Sequence, residues 1–463
     1  MKTRRVGSLC AVTRFVTGAT IVLLWSMALW HSWECRGLFW DGAYFLLEIV
    51  RAEGFLDFGP DPGRRYAMAV VEIPVVVAIW LDVSDLHWLA RWWSLGMFGV
   101  PTTLYTLAVL RARNEPVLLA ATIAAVAMVF MTTSFFIVGE YNTAHAAAIL
   151  AAVWLATTSR LVVKPGIVLV LIAVLALRSY ETFVFLGPLL ALMTCWTIWR
   201  ASSRPALAAG LHAGAAVLFL GAATLQACNL IYADDEPYLA YVLAHRWDFQ
   251  WNRQLALVVT AASVVLAWGL VRPDDLRRRR PYVWAGLLLV LIALSPLLFF
   301  LKVVVGPPYA WPQHAARIAG GGVTAVVIIL MWSYAAGLGR RLPVLAVLNA
   351  PEAARRFVAF AGLMLLAMAP WDIFLTRLYA HYLQEVRTTI RAHSGVIVLE
   401  GSPLDEHPNL SQGEQWTLPS LSLILRSRPN DGIIQPPIDS RSWGEQPFLP
   451  SNPPDLGRFV WRD

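Results

Sequence analysis

Long apolar runs broken by short polar stretches dominate this chain. A helix needs about 20 mostly apolar residues to cross a bilayer. On that measure spans are predicted at 14–33, 88–110, 116–138, 144–161, 164–178, 183–200, 207–231, 254–271, 282–305, 318–337 and 357–378, eleven in all. The stretch 68–81 behaves differently. It has only 14 residues and contains Glu72 and Pro74, a length that suits an interfacial or re-entrant segment better than a span. The pattern predicts an all-α polytopic membrane protein. A transmembrane domain covers 1–378, with interfacial helices in a long first outer loop at 34–87. A small extramembrane C-terminal domain follows at 379–463, with strand-like runs at 395–399 and 421–425.

Composition supports a membrane chain and excludes an ordinary soluble or disordered one. Hydrophobic residues make up 58% and charged residues 14%, against about 45–50% and about 25% in soluble domains. The 21 Trp suit a chain that meets two membrane interfaces many times. The net charge of +7 comes from short basic clusters between the apolar runs, a pattern of membrane orientation rather than nucleic-acid binding. With 68–81 left out of the spans, Lys2, Arg4 and Arg5 share a side with Arg111/Arg113, Arg160/Lys164, Arg200/Arg204, Arg272 with Arg277, Arg278, Arg279 and Arg280, Arg340/Arg341 and Arg355/Arg356. Counting it as a span would send the later clusters outside. The positive-inside rule therefore sets a cytoplasmic N-terminus and a periplasmic C-terminus, as in a bacterial inner membrane. The first apolar run ends in Trp30-His31-Ser32-Trp33 rather than at a small-residue cleavage site, so it reads as an uncleaved span. The four cysteines form no CxxC pair; Cys35 and Cys228 fall near the same predicted face, which leaves a bridge between them open.

Polar groups at membrane depth are costly, which makes them the first candidates for chemistry. Asp41 lies in Phe39-Trp40-Asp41-Gly42-Ala43-Tyr44-Phe45, just past the first span. A partly desolvated carboxylate there suits a general base near neutral pH; the position also reads as a helix N-cap. Glu140 is the only charged group between Glu115 and Arg160, with Tyr141, Asn142 and His145 beside it. It is either a loop-end charge or, with Asn142 and His145, a source of ligands for a divalent metal ion, although the spacing matches no recognised metal signature. In Arg178-Ser179-Tyr180-Glu181 the two charges either pair with each other or Arg178 offers its planar fork to a phosphate. His314 and Arg317, three residues apart, form a second cationic patch that Lys302 can join. Asp234-Asp235-Glu236 reads as a solvated loop, and Asp372 is expected to pair with Arg377. No Ser-His-Asp, HExxH, GxGxxG or P-loop pattern stands in a usable context.

These features resemble the GT-C superfamily of polytopic membrane glycosyltransferases, which includes the lipid A aminoarabinose transferase and the protein O-mannosyltransferases. The resemblance rests on the early outer loop, on Asp41-Gly42-Ala43-Tyr44 where the family has a motif near Asp-Glu-x-x-Tyr, on Trp88-Leu89-Ala90-Arg91-Trp92-Trp93-Ser94 where it has Arg-Leu-x-Ser, and on Glu140 as a second acid. It covers residues 14–200 well and the later spans only as a hydropathy pattern. Gly42 departs from it, because the family carries a second acid there. The resemblance implies an inverting transfer of sugar from a polyprenyl-phosphate donor to an envelope glycan or lipid acceptor. Asp41 would be the base, Glu140 would orient the donor or bind a metal, and Arg178, Arg317 or His314 would hold the departing phosphate. Tyr44, Tyr141, Asn142, His145 and Glu181 complete the candidate substrate contacts. No cofactor is implied beyond that divalent ion. The rival readings are a transporter or flippase for an anionic lipid or sugar, an O-antigen polymerase or ligase, and a non-catalytic scaffold of envelope assembly. The gathering of polar residues at one face argues for a surface active site over a transport path.

Overall fold

The computed structural model describes residues 2–56, 63–133, 139–231, 253–300, 313–338, 350–399, 404, 417–435 and 456–462. Its first half holds α1 (Lys2–Trp33), α2 (Asp41–Ala52), α3 (Arg65–Trp80) and α4 (Leu86–Ala112). Next come α5 (Pro116–Ala125), a π-helical turn (Val126–Phe130), the single turn α6 (Met131–Thr133) and α7 (Glu140–Ala156). The bundle continues with α8 (Val163–Leu177), α9 (Phe183–Arg200), α10 (Ala206–Ile231), α11 (Arg253–Val271), α12 (Arg280–Phe300), α13 (Gln313–Ala335) and α14 (Pro351–Ala392). The C-terminal part adds β1 (Val396–Val398), α15 (Leu418–Leu425) and β2 (Ile433–Gln435). Local chemistry sets several starts. Pro116 and Pro351 open α5 and α14 at the position where a missing N–H costs nothing. Asp85 caps α4 by accepting the His87 N–H at 2.9 Å.

Each predicted span is helical over most of its length. Six helices are long and apolar enough to cross a membrane: Ala11–Trp33, Leu86–Ala112, Phe183–Arg200, Ala206–Ile231, Arg280–Leu297 and Pro351–Ala392. They turn large apolar side chains outward, among them Phe15, Leu192, Val217 and Leu287, as a lipid-facing surface requires. The chain is a helical, multi-pass membrane protein. The close pair α8 and α9 is two helices separated by Arg178–Thr182 turns, not one merged span. Residues 68–80 of that stretch belong to α3, which packs on α4 and is not among those long apolar helices.

Arginines from two of the basic clusters meet at one end of the bundle. Arg111 donates to Thr157 Oγ1 at 2.8 Å, and Arg200 donates to the carbonyls of Thr158 and Ala335 at 2.9 and 2.8 Å. Tyr334 reaches Glu115 at 3.2 Å at the same end. Exposed Trp199 lies there too, while Trp33, Trp80, Trp88 and Trp92 are exposed at the opposite end. Exposed Trp at opposite helix ends, Trp199 at the first and the other four at the second, suits the two interfaces of a bilayer.

At 42 residues, α14 is about 63 Å long at about 1.5 Å per residue, twice the ~30 Å hydrocarbon core. Its C-terminal part therefore projects beyond the bilayer and crosses residue 379 without a break. β1 and β2 pair in parallel, with Val396 opposite Ile433. The run 421–425, read from sequence as strand-like, is instead helical in α15, where all of Leu418–Leu425 is buried. A short peptide run buried on every side carries no period-2 signal to separate strand from helix. The chain's last residues return to the first loop. Leu86 N donates to the Val460 carbonyl, Val460 N donates to Ser84, and Trp461 stacks on His87 at 4.5 Å. Phe459, Trp461 and the α15 leucines share one hydrophobic core with α2 and α4.

Candidate active site

The residues before Asp41 run through a fixed and strained connector. Cys35 has φ 52° and Trp40 has φ 55° with ψ −131°, both at the positive φ that non-glycine residues avoid. Between them Arg36–Leu38 forms a 3-10 turn. Three sets of contacts hold it. Arg36, fully buried, donates through Nη1 to Asp372 Oδ1 at 2.7 Å and Thr376 Oγ1 at 2.8 Å. His31 Nε2 lies 2.6 Å from Asp372 Oδ2. The Gly37 N–H donates to Ser94 Oγ at 2.8 Å, and Trp93 Nε1 donates to the Gly37 carbonyl at 2.9 Å. Thus Trp93 and Ser94, from the Trp-rich start of α4, clamp the turn that delivers Asp41. Arg91, from the same stretch, sits over the rings of Trp33 and Trp88 at 3.8 and 4.7 Å and fastens α4 to the end of α1.

This geometry explains Gly42. A Cβ there would fall 1.8 Å from the Gly37 carbonyl oxygen, a backbone atom that has no room to withdraw. An acid cannot occupy position 42 in this packing, so the paired-carboxylate arrangement has no place in it. The N-cap reading of Asp41 gives way as well: Trp40 takes the cap position and Asp41 is the first helical residue.

Around Asp41 the fold gathers charges from separate elements. Arg64, just before α3, reaches Glu140 at 3.0 Å with Nη1 and Glu181 Oε1 at 2.9 Å with Nε and 2.5 Å with Nη2. Glu140 opens α7, and Glu181 lies in the turn between α8 and α9. Arg317, on α13 and buried, stands over the Tyr141 ring at 5.4 Å, and Arg64 stands over Tyr180 at 5.6 Å. Arg317 and Arg64 are the cations that act on both Asp41 and Glu140. Withdrawal from water pushes the Asp41 carboxyl above its ordinary range, and Arg317 and then Arg64 draw it back down.

The other candidates separate into neighbours of this cluster and bystanders. Arg178 does not pair with Glu181, which is taken by Arg64; its guanidinium lies 5.9 Å from the Tyr66 ring and its carbonyl accepts the Tyr66 N–H at 2.8 Å. This bond anchors α3, and so Arg64, to the α8–α9 turn. His145 is fully buried one turn behind Tyr141, edge-on to Tyr141 and Tyr180, with Nε2 3.3 Å from Thr182 Oγ1. Asn142 is buried in the first turn of α7. Tyr44 is half-buried on α2, where its charged neighbours are Glu48 and Arg51. The side chain of His314, the Asp234-Asp235-Glu236 run, Lys302 and most of 307–317 lie outside the described residues. The expected Asp372–Arg377 pair is replaced by Asp372 with Arg36 and His31, because Asp372 turns into the bundle toward α1. Cys35 and Cys228 are free thiols, one buried and one exposed, so no bridge joins them.

Among the described residues no three His, Cys, Asp or Glu side chains come together as a metal-binding group. Glu140 faces the Arg64 guanidinium, and His145 lies beside Thr182. Sequence reasoning missed Arg64. The signal was available: Arg64-Arg65 is a basic pair in a loop that the charge pattern places outside, where such pairs are sparse. Compared with protein-family models, curated proteins and solved structures, the chain gives no match.

Proposed function

We propose that this chain is a GT-C-like inverting glycosyltransferase. It moves a sugar from a polyprenyl-phosphate donor to an envelope glycan or lipid acceptor. The placement is the outer face of a bacterial inner membrane, with the N-terminus cytoplasmic, the C-terminus periplasmic and eleven spans. The observation that supports it best is the meeting of Asp41 and Glu140 with Arg64 and Arg317 at one end of the bundle.

The chemistry follows from those groups. Asp41 takes the proton of the acceptor hydroxyl as its oxygen attacks the sugar's anomeric carbon. The bond from that carbon to the phosphate oxygen breaks, and the electron pair leaves with polyprenyl phosphate. The donor phosphodiester carries one negative charge and the leaving monoester two, so the phosphate gains the charge that Asp41 gives up on protonation. Arg64 and Arg317 stabilise that developing charge, and guanidinium forks suit phosphate oxygens. Glu140 and Glu181 hold Arg64 in place by the bonds described above. No step is routed through a metal ion.

The test is turnover by purified protein in lipid vesicles supplied with a panel of polyprenyl-phosphate sugars and envelope acceptor extract, with mass spectrometry of released polyprenyl phosphate. Wild type should release it, and a folded Asp41→Asn variant should be slower by about 10²–10⁴-fold, the usual contribution of a general base. Equal rates would remove Asp41 as base. No release from any donor would overturn the transferase reading in favour of a transporter or scaffold.

A further inference from the structure

A second site lies away from the Asp41 cluster and shares no residue with it. Where the chain's last residues return to the start of α4, they enclose a cavity of about 390 Å³ with α15 and the turn after it. That volume falls within the range of ligand pockets, about 300–1,000 Å³. One wall is apolar, made by Leu86, Leu423, Phe459 and Val460; the other is Arg426, Ser427 and Arg428.

The polar wall carries a net positive charge, because Arg426 and Arg428, with Arg391 beside them, outnumber the Asp431 carboxylate. Asp431 is the acid closest in sequence; its Oδ2 accepts the backbone N–H groups of Ser427 and Arg428, each at 2.9 Å, and its charge offsets part of that of Arg426. Arg426 donates through Nε to the neutral Asp431 carbonyl at 2.7 Å. Arg391 approaches from α14 and donates to Ser427 Oγ at 2.6 Å. Arg428 is exposed, and its guanidinium has no partner among the described residues. Asp85, the nearest acid on the α4 side, accepts the N–H groups of His87 and Arg462. Asp82 and Glu53 are paired with Arg458.

Depth identifies the occupant. Leu86 is the first residue of a membrane-crossing helix, and Trp88 and Trp92 on that helix are exposed at 47% and 40%. With Trp80 and Trp33 they mark the headgroup level of the bilayer. A pocket at that level, with an apolar wall and a basic wall, fits a phospholipid whose headgroup bears net negative charge. We infer that the cavity between α15, the chain's last residues and the start of α4 seats an anionic phospholipid. Its phosphate lies against Arg426 and Arg428 and its first methylenes against Phe459 and Leu86, which ties the extramembrane segment to the membrane surface.

The experiment is native mass spectrometry of the full-length protein released from nanodiscs of phosphatidylglycerol and phosphatidylcholine mixed equally. A parallel titration uses soluble glycerol phosphate. Wild type should retain phosphatidylglycerol in preference to phosphatidylcholine. Arg428→Gln should weaken that retention by about fivefold, the effect of one basic side chain at an anionic surface, and Arg428→Glu further, with unfolding curves unchanged because the side chain is exposed. Equal retention of the two lipids, or retention unaffected by both variants, would overturn the inference. Glycerol phosphate binding as tightly as the lipid would also overturn it and assign the pocket to a soluble phosphate.

Discussion

Among the contacts that hold the connector delivering Asp41 is a buried ion pair, which makes Asp372→Asn the most informative single change. Asn keeps the volume and a hydrogen-bonding oxygen, so packing is conserved while the charge is removed. What remains is the Arg36 guanidinium with no exposed surface and no counterion at 2.7 Å, and His31 without its carboxylate at 2.6 Å. Breaking a buried pair by removing one partner costs about 3–5 kcal/mol, whereas replacing both partners with neutral groups is often close to neutral. The variant should therefore lose about 3–5 kcal/mol, and Arg36→Gln with Asp372→Asn should lose much less than the sum of the two singles. Reversible denaturant unfolding in micelles, run as a double-mutant cycle, measures both quantities. Turnover supplies a second readout, because a loosened Arg36 frees the 3-10 turn that sets Asp41. A loss below about 1 kcal/mol for Asp372→Asn, or strictly additive singles, would refute the view that this pair holds the connector.

Three further outcomes follow from the same geometry. Gly42→Ala should cost about 1–3 kcal/mol by overpacking and reduce turnover, since the new methyl meets the Gly37 backbone oxygen; thermal unfolding beside an activity assay checks it. Turnover should fall as pH drops through the raised pKa of Asp41, and Arg317→Gln should move that acid limb to higher pH, because it removes the larger of the two cations drawing the pKa down; a pH–rate profile that does not shift would contradict the pairing. Glu72 is buried in α3 with Oε2 accepting the Leu56 N–H at 3.0 Å and Oε1 without a partner, and burial raises its pKa to about 7. The folded state then holds a proton that the unfolded state has released. Stability is greatest below the ordinary carboxylate pKa and declines by up to about 3 kcal/mol as pH rises through 7, a slope that Glu72→Gln should abolish in unfolding measured from pH 4 to 8.

Hydropathy carried most of the bundle, because a spanning helix must be apolar along its whole length and needs no partner to be recognised. The 14 residues at 68–81 differ from the spans in length and in carrying Glu72, and residues 68–80 fall in α3, a 16-residue helix that packs on α4. The C-terminal part resisted reading for the opposite reason. The 421–425 run is apolar on every side because α15 is enclosed, and enclosure erases the periodicity that tells helix from strand. In the cluster, Asp41, Glu140 and Arg317 stood out as charges at helix ends, but partnership was hidden. Arg64 meets Glu181 across 117 positions, and Arg36 meets Asp372 across 336. Local spacing favoured Arg178 with Glu181 and Arg377 with Asp372, and tertiary packing overrode both.

Gly42 ties the sequence departure to the proposed chemistry. A second acid at that position would add a negative charge to a site where Arg64 and Arg317 already face Asp41, Glu140 and Glu181. An incoming phosphodiester must displace some of that acid–arginine pairing, and each extra carboxylate makes the exchange costlier in a low-dielectric setting. With glycine at 42, the clamp from Trp93 and Ser94 closes directly on the backbone, and in the proposed chemistry Asp41 alone would take the proton. In the proposed transfer the charge leaving Asp41 would reappear on the phosphate, so the net charge of the site would be the same before and after. The protein then has only to move charge between fixed partners, which is the kind of work that a rigid set of arginines does well.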